Sequence, residues 1–97
     1  MIAYSFHPEA QAELEDAALF DESRMAGLGN TFANEVARVI SLLRRFPDAG
    51  APAGRASRRV LLDRFPYAVV YRHAPDAIEV IALAHQRRRP GYWRARR

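Results

Sequence analysis

The 97 residues suffice for one small domain, with 49% hydrophobic side chains for one modest core and no cysteine, which excludes disulfides and thiolate chemistry. Met1 to Glu15 lack the basic start and apolar run of a signal peptide, and no apolar stretch reaches the roughly 20 residues of a membrane helix. The expected setting is therefore the reducing cytoplasm. The net charge of +4 conceals a polarity, since residues 1–54 carry four Arg against eight acids and residues 55–97 carry eleven Arg against three. A partner-facing surface is expected on the C-terminal part. All 15 basic residues are Arg, which suits bidentate recognition of phosphate or carboxylate, although a G+C-rich genome explains missing Lys equally well.

Ile2–Phe6 alternates apolar with small or polar residues and reads as a first strand ending before Pro8. Pro8 and Glu9 suit a first helical turn, and Leu14, Ala17, Ala18 and Phe20 recur near helical spacing, so a helix is expected to about Met25. Gly27-Leu28-Gly29-Asn30 has turn chemistry. Leu28, Phe32, Val36, Val39, Ile40 and Leu43 then form the clearest helical stripe, ended by Phe46-Pro47 after Arg44 and Arg45. So short a link predicts an antiparallel helix hairpin. The acids Glu9, Glu13, Glu15, Asp16, Asp21 and Glu22 are expected on the solvated face of the first helix, and neither metal nor cofactor is expected.

Asp48–Ala56 lacks periodicity and reads as a loop. Val60–Leu62, Tyr67–His73 and Ile78–His85 follow as three strands of an antiparallel meander, with turns at Phe65-Pro66 and Ala74–Ala77. In the last strand, alternation puts Ile78, Val80, Ala82 and Ala84 on one face and Ile81 and Leu83 on the other, as in a central strand. Gln86–Arg97 is a basic and aromatic tail. The expected fold is α+β, β-α-α-β-β-β, a helix hairpin packed on a mainly antiparallel sheet within one domain spanning residues 1–97.

Tyr67-Ala68-Val69-Val70-Tyr71-Arg72 and His85-Gln86-Arg87-Arg88-Arg89-Pro90-Gly91-Tyr92-Trp93, together with the opening Tyr4–Ala10, resemble the corresponding segments of RelE/ParE toxins of bacterial type II toxin-antitoxin systems. The resemblance spans nearly the whole chain. It implies a cognate antitoxin in a toxin–antitoxin hetero-oligomer, and as target either DNA gyrase, as for ParE-like members, or ribosome-bound messenger RNA, as for RelE-like ribonucleases. The ribonucleases use two Lys, a strand Arg, and a C-terminal Arg and Tyr. The matching positions here are Arg59, Leu61, Ala68, Arg88 and Tyr92. Arg59 can hold phosphate but stays protonated and is a poor base, while Leu61 and Ala68 have lost the chemistry.

The leading expectation is thus inhibition of DNA gyrase by binding, as in ParE-like plasmid-stabilisation toxins. Arg87, Arg88, Arg89, Tyr92 and Trp93 are then the target-binding residues, and Arg58, Arg59, Phe32 and Val36 the antitoxin-binding ones. The enzymatic alternative is a metal-independent messenger RNA interferase using Arg59, His85, Arg88 and Tyr92, with imidazole as proton carrier. His73, beside a turn, is expected to be an exposed polar residue. A third alternative is a basic binding domain without toxicity. Tyr92 and Trp93 can equally fold back as a lid on the core.

Overall fold

The computed structural model describes residues 1–97 as one sheet with a helix hairpin on one face. Strand β1 (Ala3–Phe6) runs into helix α1 (Pro8–Arg24), where Nδ1 of His7 accepts the Glu9 N–H at 3.1 Å and Pro8 opens the first turn. Helix α2 (Leu28–Arg45) returns antiparallel. The Glu22 carboxylate closes the hairpin by accepting the N–H groups of Gly27 and Gly29. Gly29 lets the helices touch: a Cβ there would lie 2.5 Å from the Ala18 carbonyl oxygen.

Strands β2 (Ala51–Pro52), β3 (Arg58–Leu61), β4 (Tyr67–Ala74) and β5 (Ala77–His85) complete a five-stranded sheet in the order β1-β5-β4-β3-β2. The two residues of β2 lie inside the segment expected to be a loop, and β3 begins two residues earlier than Val60. Neither shows in the sequence, because β2 is too short for periodicity and both of its residues are exposed. The three later strands pair antiparallel as expected, whereas β1 pairs parallel with β5, from Ala3 opposite Ala77 to Phe6 opposite Val80.

The core lies between the hairpin and the sheet. The α2 stripe delivers Phe32, Val36, Val39, Ile40 and Leu43 against Val69, Tyr71, Ile78, Val80 and Leu83, all buried. Phe32 meets Phe65 and Tyr67 edge to face, with ring centres 5.1 and 5.2 Å away. Tyr71 is fully buried with its hydroxyl engaged: it donates to the Pro47 carbonyl at 2.6 Å and accepts from the Gly50 N–H at 3.0 Å. Burial raises its pKa above the ordinary tyrosine value.

Strict alternation along β5 does not survive. The register passes from Val70 opposite Ala82 to Tyr71 opposite Val80, which leaves Ile81 as a bulge. One extra residue reverses the facing of every residue beyond it. Ile78, Val80 and Leu83 therefore face the helices, while Ala82 and Ala84 join Val70, Ile81 and Trp93 on the opposite face. The sheet has two buried faces because the C-terminal tail covers the second.

Candidate functional site

The tail is held by an arrangement at the edge of β5. Strand β1 covers that edge only to Val80, where the His7 N–H donates to the Val80 carbonyl at 2.8 Å. Beyond it, side chains take the place of a strand. Glu13 accepts the Leu83 N–H at 3.0 Å, Arg96 donates to the Ile81 carbonyl at 2.8 Å, and Glu13 and Arg96 face each other through two contacts of 2.9 and 2.8 Å. The Tyr92 hydroxyl donates to Glu13 at 2.8 Å.

Burial pushes the Glu13 carboxyl upward, but the hydrogen bonds from Arg96, Tyr92 and Leu83 outweigh it and hold it below the usual carboxylate range. Tyr92 moves the other way. Burial and its bond to Glu13 raise it well above the ordinary tyrosine value. The acids of α1 are thus not uniformly solvated: Glu13 is a structural partner of the tail, and Asp21 is buried with one carboxylate oxygen unpaired. At the tail's far end, Arg72 donates to the Arg96 carbonyl and lies 3.4 Å from Glu79.

With the tail so placed, Arg59 and Leu61 of β3, Ala68 of β4, and His85, Arg88 and Trp93 line one cleft of about 290 Å³ on the face opposite the helices. The cleft brings together Arg59, His85 and Arg88, three of the four ribonuclease candidates. Tyr92 is absent from it, turned toward Glu13 with the Arg88 guanidinium 3.9 Å from its ring centre. Leu61 is exposed and Ala68 buried on the cleft floor, so the floor is apolar where the ribonuclease pattern needs cations. Nδ1 of His85 accepts the Arg87 N–H at 3.0 Å. That bond leaves the neutral ring with its proton on Nε2, a donor without a free lone pair for a substrate proton.

The other expected site residues divide sharply. Arg87 and Arg89 are exposed, as binding residues must be. Trp93 is not: at 6% exposure it packs on Val70, Ile81, Ala82 and Ala84, and its indole N–H has no partner. Phe32 is fully buried and Val36 nearly so, which makes both of them core residues and removes Phe32 from any surface an antitoxin can touch. Val36 reaches the wall of the largest groove, about 720 Å³, which Tyr4, Phe6, Leu14, Ile40 and Arg44 also line. Arg58 is spent internally, donating to the Gly50 carbonyl at 2.7 Å, whereas Arg59 is exposed. His73 is exposed, its Nδ1 3.1 Å from Asp48.

Sequence reasoning missed Arg96, Glu13 and Glu35. Buried Glu35, polar within the α2 stripe, accepts the Asp63 N–H at 2.6 Å and so fixes the β3–β4 turn. An acid inside an apolar stripe was the available signal; for Arg96 none existed, because its partners lie 83 and 15 residues away in the chain.

No curated protein is recognisably similar to the chain. Among solved structures, a chain of the chromosomal ParDE toxin-antitoxin system from P. aeruginosa superposes with a TM-score of 0.71 at 18% identity, covering 88% of this chain and 96% of that one. At that identity the likeness shows the fold. The family model for the ParE toxin of the type II toxin-antitoxin system parDE matches residues 4–90, and the chain accordingly belongs to the ParE toxin family.

Proposed function

We propose that this toxin acts by binding DNA gyrase rather than by cleaving RNA, and that a cognate antitoxin neutralises it. The observation that carries this reading is the absence of a free proton carrier among cations in the sheet-face cleft. Metal-free RNA cleavage requires a base for the 2′-hydroxyl, an acid for the leaving oxygen and cations at the phosphate. Here Leu61 and Ala68 occupy two cation positions, Nδ1 of His85 is taken by the Arg87 N–H, and the Tyr92 proton is committed to Glu13 with a raised pKa. What remains is a set of exposed guanidinium groups, Arg59 and Arg87 to Arg89, suited to recognition.

For the antitoxin, the groove bounded by β1, α1 and α2 offers apolar walls with Arg44 at the rim, held by the Ile2 carbonyl at 2.7 Å and placed 5.0 Å from the Tyr4 ring centre. An amphipathic helix that folds on contact fits such a groove, with a basic rim for its acids. Purified toxin is expected to inhibit supercoiling by gyrase in a dose-dependent manner and to lose that effect when premixed with the antitoxin. Gyrase unaffected at saturating toxin, together with codon-specific cleavage of ribosome-bound messenger RNA that Arg88→Ala abolishes, would replace this reading with the interferase.

A further inference from the structure

We propose that the two clefts left beside the C-terminal tail, on the sheet face opposite the helices, are a docking track for an extended acidic segment of the toxin's protein target. The inference rests on the reading of the chain as a binder and adds the chemistry of what is bound. Two clefts lie on this face. The first has Arg59 and Arg88 at its walls. The second, about 420 Å³, is lined by Arg55 and Ser57 of the β2–β3 loop, Arg72 of β4 and Arg94 of the tail. Neither cleft has an Asp or Glu in its lining. Arg72 is already paired with Glu79, so Arg55 and Arg94, both exposed, are the free cations of the second cleft.

Strand β4 sets their relative placement. Ala68, Val70 and Arg72 alternate onto one face of that strand. Ala68 and Val70 line the first cleft and Arg72 the second. Two to four residues of strand separate the clefts by about 7–13 Å. In an extended peptide, side chains on alternate residues face the same way and repeat at about the same spacing. A segment with Asp or Glu at alternate positions therefore presents one carboxylate to each cleft, and planar guanidinium groups receive carboxylates in pairs of parallel bonds.

A single-stranded nucleic acid carries similar charge but needs exposed rings on which bases stack. This face offers none. Trp93 is 6% exposed, and the Tyr92 ring has Arg88 3.9 Å and Arg96 5.1 Å from its centre. The antitoxin's apolar groove lies on the helix side, and its walls share no residue with either cleft. The sheet face is thereby left to the target. Gly91 keeps Arg94 in place, since its φ of +78° suits glycine and a Cβ there would stand 2.7 Å from Nε of Arg94.

Trp93 is the sole tryptophan and lines the first cleft, so its fluorescence reports occupancy directly. Full-length toxin is titrated at low salt with a short peptide alternating Glu and Thr, with a peptide of the same composition whose acids are clustered at one end, and with an oligothymidine. The alternating peptide is expected to shift Trp93 emission, to bind most tightly and to weaken as salt rises. Arg59→Glu and Arg94→Glu, both at exposed positions, should each weaken it about tenfold or more. Arg45→Glu, on α2, should leave it unchanged, with circular dichroism checking that all three variants fold. Tighter binding of oligothymidine, equal binding of the clustered peptide, or an unaltered Trp93 signal would each overturn the proposal. Since no gyrase or growth measurement enters, these outcomes are separate from the fate of the gyrase reading.

Discussion

Glu13 illustrates how a residue's role is set by what the fold brings to it. On α1 it looks like one more surface acid, yet its side chain is 17% exposed and meets Arg96, at 10%, across a contact of 2.8 Å. The pair caps backbone groups of β5 that β1 leaves uncovered, so neither charge is buried alone. Its pKa is depressed in the folded chain, and the stabilisation is therefore complete above the unfolded carboxylate value of about 4.3 and lost as pH falls through the lower folded value. Glu13→Gln is expected to cost about 3 kcal/mol at neutral pH, because it leaves the largely buried Arg96 guanidinium with only the more exposed Glu9, 3.8 Å away, as a counter-charge. In denaturant titrations the gap from the parent should narrow in acid. A gap of the same size at every pH would mean that the carboxylate charge contributes nothing.

At the level of elements, α2 was the most legible. Its stripe has the helical period over five buried positions, and the structure places all of them against the sheet. Phe32 is the clearest case of a residue whose burial decides its role: truncation to Ala removes a ring packed on Phe65 and Tyr67 and should destabilise by about 3–5 kcal/mol. Thermal denaturation tests this, and a loss under about 1 kcal/mol would place Phe32 at a site that collapses freely. The strands were legible by alternation, but alternation cannot announce a bulge. Ile81 therefore reversed the expected facing of Ala82, Leu83 and Ala84. The tail was legible as basic and aromatic. Its contacts were not, since Trp93 meets strands 9 to 23 residues earlier in the chain and Arg96 reaches back to α1. Deleting Gln86–Arg97 would thus strip one face of the sheet and its edge caps together, and charge reversal at Arg87 and Arg89 is the cleaner probe of toxicity.

Over the whole molecule, the charge polarity of the sequence becomes a division of surfaces. The acids of the first half lie largely on α1, while exposed Arg residues of the second half gather on the tail and sheet face beside an acid-free cleft. The proposed inhibition by binding rests on that acid-free cleft, with Nδ1 of His85 and the Tyr92 hydroxyl already engaged. The candidate site was legible only in part: the spacing around Tyr67 and Tyr71 exposed the loss at Leu61 and Ala68, but the engagement of His85 and Tyr92 required the fold.

The most direct test of binding against cleavage is to induce the toxin without its antitoxin and monitor thymidine and methionine incorporation in the same culture, together with a DNA-damage reporter. We expect thymidine incorporation to fall first, with the reporter on and cells filamenting while protein synthesis continues. His85→Ala should change this little, since a binding surface loses one contact of about 1 kcal/mol whereas loss of a catalytic base slows chemistry about a hundredfold or more. Methionine incorporation that stops first, with the reporter silent and the effect lost in His85→Ala, would contradict the account.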